Sequence, residues 1–428
     1  MQVRQSRPNN RIPLFALLAA NAVSLTGNVF TMIAIPWFVL QTTGSASQTG
    51  LATAVAAVPF VIAGLFGGTI VDAVGFRRMS VISDLASSVT TALIPLLYAT
   101  IGLEFWHLLV LVFLGGILDT PGTTARAAML PDLAALAGMR LERVNAIEQT
   151  VSRGSYMLGA PLAGVVIAII GTSAALWVNA ASFIVSAAIV AMFIPASAVA
   201  ARVLSDSDDT EVGSVLSRYV ADFREGFAFI RNDSLTMAIV VAVATTNFLD
   251  AMITLVYPIY AEEVFGSAVG LGILMAAFGI GAVGSTLVFA AIGHRFPRRE
   301  TFIGCFVISA VLLFPLALTP PLFICAAAMV VRGLGAGPLN PILMTISQER
   351  IPAELRGRVF GVLTSLSWIA IPAGRLGSGF LIEWIGLIPT LVTVATAYVA
   401  ATLAMYLMPA LKQMNVPTPI LTQSTNAA

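Results

Sequence analysis

Long apolar runs alternate with short polar or Gly/Pro-containing breaks along almost the whole chain. Dividing the sequence at those breaks gives twelve apolar stretches, roughly 12–41, 46–71, 78–100, 105–128, 143–170, 173–196, 235–261, 267–293, 301–318, 322–347, 358–382 and 387–408. A bilayer core about 30 Å thick takes about 20 apolar residues of helix, so each stretch is of spanning length. Backbone groups in lipid must be satisfied within their own segment, and this pattern predicts helices rather than strands. Arg4, Arg7 and Arg11 precede "IPLFALLAANA" in the manner of a signal peptide, but the apolar run continues for almost thirty residues. A retained first span is expected.

Polar positions orient these helices. Arg4, Arg7 and Arg11, Arg77 and Arg78, and Arg140 and Arg143 fall in alternate breaks, as do Arg295, Arg298 and Arg299, Arg350, Arg356 and Arg358, and Lys412. The intervening breaks, "TTGSASQ", "GLEFWH", "GTS", "EEVFG" and "TPP", contain no Lys or Arg. Basic residues collect on the cytoplasmic side, so both termini are expected there.

Composition narrows the class further. Only 10% of the 428 residues are charged and 58% are hydrophobic, against about 25% charged in soluble domains. A net charge of +1 gives no support to nucleic-acid binding. Cys305 and Cys325 are the two cysteines and lie in apolar runs, as packing residues rather than a disulfide framework or metal site.

The longest polar stretch, about 198–234, divides six spans from six. Three parts are therefore expected: a six-helix bundle over 1–197, a cytoplasmic linker over 198–234, and a second bundle over 235–428. The linker opens with acidic "SDSDDTE" and continues with Leu216, Tyr219, Val220, Phe223, Phe227 and Ile230 at helical spacing. Arg218, Asp222, Arg224 and Arg231 stand elsewhere on that helix. It reads either as an amphipathic helix on the cytoplasmic membrane face or as a solvated linker helix.

The two bundles also share landmarks. Pro36 and Gly44-Ser45-Ala46 match Pro258 and Gly266-Ser267-Ala268 at an offset of 222 residues. Gly50-Leu51, Gly64 and Arg78 match Gly270-Leu271, Gly284 and Arg298 at 220. Pro121 matches Pro338 at 217, and Gly164 and Gly171 match Gly379 and Gly386 at 215. Slow drift of the offset is what small differences in loop length produce. Because six is even, the copies run the same way through the membrane, as parallel repeats about an axis along its normal.

"GGTIVDAVGFRR", residues 67–78, lies between the second and third spans. Its Gly68, Asp72, Gly75, Arg77 and Arg78 resemble the loop signature of the major facilitator superfamily, although Ala73 and Phe76 stand where basic residues are usual. The equivalent second-half loop, "AAIGHRFPRR", keeps basic residues but has Ile292 in place of the acid. Gly154, Gly159, Pro161 and Gly164 on the fifth span loosely resemble the glycine–proline motif of proton-driven exporters in that superfamily. "PDLAALAGMRLERVNAIEQT" and "LWVNAASFIVSAAIV" look like the branch containing enterobactin exporters and macrolide-efflux proteins. "GIGAVG", residues 279–284, matches G-x-G-x-x-G but falls inside the eighth span without a preceding strand. Close helix contact, not nucleotide binding, is its expected role.

Charges at bilayer depth are costly and normally face a cavity or a partner. Counted from the span ends, Asn28, Asp119, Asp250 and Arg332 fall near the midplane, on spans one, four, seven and ten. The resemblance implies that these four spans line a central cavity, with Asn21 and Asn247 adding polar surface. Asp250 reads either as a proton-accepting or cation-meeting group or as a carboxylate neutralised by Arg332. Arg126 is a candidate partner for Asp72 or Asp84.

The resulting expectation is an all-α membrane protein of twelve transmembrane helices in two six-helix parallel repeats. The resemblance implies a monomeric, proton-coupled exporter of an amphipathic small molecule such as a drug, macrolide or siderophore. It would work by alternating access in a bacterial cytoplasmic membrane. The sequence contains no metalloprotease, nucleophile-elbow or Walker pattern, so neither an enzyme nor a cofactor or metal requirement is expected. A lipid or lysolipid translocator and a non-transporting receptor or scaffold remain as alternatives.

Overall fold

The computed structural model describes residues 10–195, 212–352 and 355–415, with side chains described there except at 60, 63–73, 212–220, 222, 294, 356 and 357. Within those residues the chain is helical throughout. The first repeat comprises α1 (Ile12–Thr43), α2 (Ala46–Val74), α3 (Phe76–Ala99), α4 (Phe105–Leu136), α5 (Leu141–Ile170) and α6 (Thr172–Phe193). The linker helix α7 (Val212–Asn232) follows, then α8 (Ser234–Tyr260) with a π turn at Ala261–Phe265, α9 (Ala268–Ile292) and α10 (Arg298–Val311). The tenth span is split into α11 (Leu322–Ala336) and α12 (Leu339–Arg350), and the eleventh into α13 (Arg356–Trp368) and α14 (Ala370–Ile385). Helix α15 (Leu387–Leu407) is the last span. Among the described residues eleven segments are long and apolar enough to cross a bilayer, and α2, with 29 residues, completes the twelve.

The repeat is visible in the backbone as well as in the letters. Gly44 and Gly266 both adopt left-handed geometry, φ +64° and +59°, and close α1 and the π turn after α8. Gly171 and Gly386 do the same work between the fifth and sixth spans of each copy, at φ +97° and +88°. Side chains other than glycine rarely adopt such φ values, so these paired turns explain why glycine recurs at both offsets. Pro36 and Pro258 likewise occupy matching interior positions of α1 and α8.

The chain packs as two compact units. The first holds Met1–Asp208 together with Thr254–Ala276 and Pro372–Leu387. There α1 packs on α5 and α6, α3 on α4 and α6, and α2 on α4. Leu14, Leu17, Met129, Leu133, Val144 and Val190 form a buried cluster at one end of this bundle. The two second-repeat segments meet the first repeat through glycines. A Cβ on Gly164 of α5 would lie 2.6 Å from the Ala268 carbonyl oxygen, and one on Gly379 of α14 would lie 2.6 Å from that of Ala46. Arg375 Nη1 donates to the Thr53 carbonyl at 2.8 Å, and Glu383 accepts from the Ser47 N–H at 3.0 Å.

The second unit holds Asp209–Ile253, Ala277–Ile371 and Ile388–Ala428. Its closest seam runs between α9 and α11, where a Cβ on Gly281 would fall 2.0 Å from the Val330 carbonyl oxygen and one on Gly333 2.1 Å from that of Phe278. The G-x-G-x-x-G letters thus serve helix contact: Gly281 is in the seam, while Gly284 has nothing within 4 Å. Helix α7 packs along α13, with Ile230 buried among Val240, Ile351, Val359 and Val362. Leu216, Tyr219 and Val220 of the expected amphipathic face, with Arg218 and Asp222, fall outside the described side chains, as do Arg4 and Arg7 outside the described residues.

Candidate functional site

Each unit holds a cluster of charged and polar side chains inside its spans. In the first, Asn21, Ser24 and Asn28 stand on α1 at spacings of three and four, one stripe of a helix. Asp119 and Arg126 stand seven apart on α4, again on one face, and Asp84 projects from α3. Arg126 Nη1 binds Asp84 Oδ1 at 2.8 Å, and both side chains are buried. Ser186 of α6 donates to Asp84 Oδ2 at 2.7 Å. The rest of the guanidinium reaches Asn21 Oδ1 and Ser24 Oγ, each at 3.3 Å.

Asp119 completes this cluster incompletely. Asn28 Nδ2 donates to its Oδ2 at 2.9 Å. Its Oδ1 is buried without a hydrogen bond among the described residues, and Arg126 Nη2 stands 4.0 Å away. Two buried carboxylates therefore share one guanidinium, which is already committed to Asp84. Glu148 on α5 meets the stripe from its other end, accepting from Asn21 Nδ2 at 3.4 Å.

The second cluster is balanced. Arg332 of α11 is buried, and its Nη2 lies 2.5 Å from Asp250 Oδ1 on α8. Tyr398 of α15 donates to Asp250 Oδ2 at 3.2 Å, and Arg332 Nε donates to the Ser309 carbonyl of α10 at 3.3 Å. The guanidinium also sits over the Phe278 ring, 5.3 Å from its centroid. Asp250 is not sealed in, since 43% of its side chain is exposed. Asn247, one turn earlier on α8, donates to the Ser367 carbonyl of α13 at 3.0 Å.

Of the residues singled out by sequence, Asn21, Asn28 and Asp119 come together in the first cluster, and Asp250 and Arg332 in the second. Asn247 stands on α8 beside them but is turned to α13. Asp84, Arg126 and Ser186 are more central than the sequence reading made them, and Tyr398 was missed. Its stretch, "TVATAYVAAT", carries three threonine hydroxyls as well and no charge, so nothing singled the tyrosine out.

Residues 17–374 match the model of the Major Facilitator Superfamily. The chain belongs to this superfamily. Among its relatives, the multidrug efflux pump Tap of Mycobacterium tuberculosis (strain ATCC 25618 / H37Rv) is 32% identical over 415 residues, covering 96% of each chain. Macrolide efflux protein A of Streptococcus pyogenes is 20% identical over 381 residues, 88% of this chain and 91% of the relative. A crystal structure of the nucleoside transporter NupG superposes with a TM-score of 0.72 at 12% identity, over 92% of this chain and 98% of that one. The resemblance to efflux members read from the sequence is thereby borne out, and the protein is a transporter of the major facilitator fold.

The superfamily's loop signature falls at the junction of α2 and α3. Gly68 and Asp72 lie within α2, outside the described side chains. Gly75 supplies a positive φ of 86° between the helices, Arg77 Nη2 donates to the Ala191 carbonyl at the end of α6 at 2.6 Å, and Arg78 is exposed. The glycines of α5 divide in function. Gly159 rests on Val29 and Thr26 of α1, Gly164 and Pro161 meet α9, and Gly154 has nothing within 4 Å.

Proposed function

We propose that the protein exports an amphipathic organic molecule of drug or macrolide type in exchange for protons, by alternating access. On this reading it sits in a bacterial cytoplasmic membrane with both termini on the cytoplasmic side. The arginine distribution supports the orientation, and the multidrug and macrolide efflux relatives support efflux and the substrate class.

One observation carries the proton reading: a single guanidinium serves two buried carboxylates in the first unit. A charge at bilayer depth costs at least about 2.5 kcal/mol, and Arg126 neutralises only one of the two. Asp84 is engaged on both oxygens, by Arg126 and by Ser186. Asp119, with an unbonded oxygen, is the group to which a proton brings both a donor hydrogen and electrical balance. Asp250 has its own counter-ion and takes a different part, offering its exposed edge to a polar group of the cargo. That exposure also speaks against an inert scaffold, for which a closed pair would serve better.

A screen of macrolides and other amphipathic drugs by thermal shift supplies a ligand. Proteoliposomes loaded with it and given an imposed pH gradient then test coupling. Asp119→Asn should abolish gradient-driven movement while leaving exchange down a substrate gradient, and Asp250→Asn should weaken both while keeping the gradient response. Full gradient-driven transport by Asp119→Asn would overturn the assignment.

A further inference from the structure

We infer that the exposed face of α7 is a docking site for the headgroup of an anionic phospholipid. The inference rests on α8 being a membrane span and not on the transport reading. One face of α7 is committed to the protein. A Cβ on Gly226 would lie 2.8 Å from the Arg358 carbonyl oxygen, Glu225 pairs with Arg358, and Ile230 is fully buried. The other face carries Arg224, Phe227, Ala228 and Arg231, all exposed. The Phe223 and Phe227 rings stack with centroids 6.4 Å apart. Together with Asn232 these residues line a groove of about 350 Å³. Among the described residues neither Arg224 nor Arg231 forms an ion pair or a hydrogen bond.

Position and chemistry select the occupant. Only Asp233 separates the last turn of α7 from Ser234, where a membrane span begins. Arg231 is therefore within about a turn of the bilayer boundary, at headgroup depth. Arg224 and Arg231, seven residues apart, stand on one face about 10 Å apart along the axis. Long arginine side chains can close on one phosphodiester from both ends, each supplying paired N–H donors. The stacked phenyl rings beside them match the boundary between headgroup and acyl chain. A soluble anion would use the arginines but leave the phenyl groups without purpose, whereas a zwitterionic lipid would bring a cation to an already cationic groove.

The full-length protein tests this in bilayers. Ala221, exposed and outside the groove, is replaced as Ala221→Cys and labelled with a fluorophore, the native Cys305 and Cys325 being buried. Quenching by brominated phosphatidylglycerol is compared with that by brominated phosphatidylcholine at equal mole fraction. The relative binding constant should favour phosphatidylglycerol by about fivefold per arginine engaged. Arg224→Gln/Arg231→Gln should bring the ratio close to unity, and Arg224→Lys/Arg231→Lys should keep most of the preference. An unaltered melting profile verifies that each variant is folded. A ratio of unity with the native arginines overturns the proposal; water or the chain's own acidic run in the groove would give that result. Loss of the preference on adding inorganic phosphate at constant ionic strength also overturns it, by assigning the groove to a soluble anion.

Discussion

Asp250 and Arg332 are 82 positions apart in the chain, yet a guanidinium nitrogen of one lies 2.5 Å from a carboxylate oxygen of the other, joining α8 to α11. Asn28 and Asp119 join α1 to α4, the equivalent spans of the first repeat, at 2.9 Å. Both repeats therefore tie their first span to their fourth through a carboxylate, and in the first repeat Arg126 adds contacts to Asn21 and Ser24. The second does so with a full ion pair and the first with an amide and an acid.

Removing Arg332 leaves a carboxylate without its counter-ion. Breaking a buried pair from one side costs about 3–5 kcal/mol, and the partial exposure of Asp250 should bring the loss below that range. Arg332→Met is expected to lower the melting temperature markedly, whereas Arg332→Met/Asp250→Asn recovers much of the loss. Thermal unfolding of the two single variants and the double measures the coupling. Additive losses would contradict it.

In the first unit a carboxylate excess is present before any substitution, since Arg126 faces both Asp84 and Asp119. Arg126→Gln strands both Asp84 and Asp119, so expression and detergent stability should collapse. Adding Asp84→Asn removes one of the stranded charges, and folded protein should return. Because Asp84 is not the proposed proton carrier, the rescued double variant tests packing apart from coupling. Size-exclusion profiles of the single and double variants provide the readout.

Close approach of α9 and α11 allows no side chain at Gly281 or Gly333. An added Cβ would come within 2.1 Å of a carbonyl oxygen at either position, so Gly281→Val and Gly333→Val should each prevent assembly of the second unit. Gly284→Ala, three residues along the same helix, should be tolerated. Monodispersity after purification separates these outcomes, and a well-behaved Gly281→Val protein would contradict the seam.

The junction of α7 and α8 should respond to acid. Burial by itself would raise the Asp233 carboxyl; hydrogen bonds from Arg350 and Thr236 outweigh it and hold the group below its ordinary value of 3.8. A carboxyl that titrates lower when folded stabilises the protein above the unfolded value and loses that contribution as pH falls through the folded one. Discounted for solvent screening, the effect is about 1 kcal/mol or less. Wild type should melt above Asp233→Asn near neutral pH, and the difference should shrink once the pH falls below the ordinary carboxylate range.

The spans were legible because lipid permits few alternatives: an apolar run of spanning length must be helical, and arginine-free breaks alternate with basic ones. Paired turns such as Gly44 and Gly266 were legible because left-handed geometry is written as glycine. Breaks within the tenth and eleventh spans were not read, although Gly337-Pro338 marks the first of them. Distance in sequence limited the site. Asp250 and Arg332 could be weighed as a pair because each is an isolated charge, and Arg126 with Asp84 for the same reason. Asn28 with Asp119 could not, since an amide in an apolar helix has many possible partners. Tyr398 escaped because a single hydroxyl barely alters the hydropathy of its span.

Two carboxylates around one arginine also have an electrical consequence. With Asp119 ionised the Asp84–Arg126–Asp119 cluster bears one net negative charge, and with Asp119 protonated it bears none. If Asp119 carries the exchanged proton, the step of the cycle that returns the ionised cluster moves charge through the membrane field, which is worth about 2.3 kcal/mol per elementary charge per 100 mV. Export of an uncharged substrate would therefore draw on voltage as well as on acidity. A potassium diffusion potential imposed without any pH difference should alter the turnover of the native protein and leave that of Asp119→Asn unchanged.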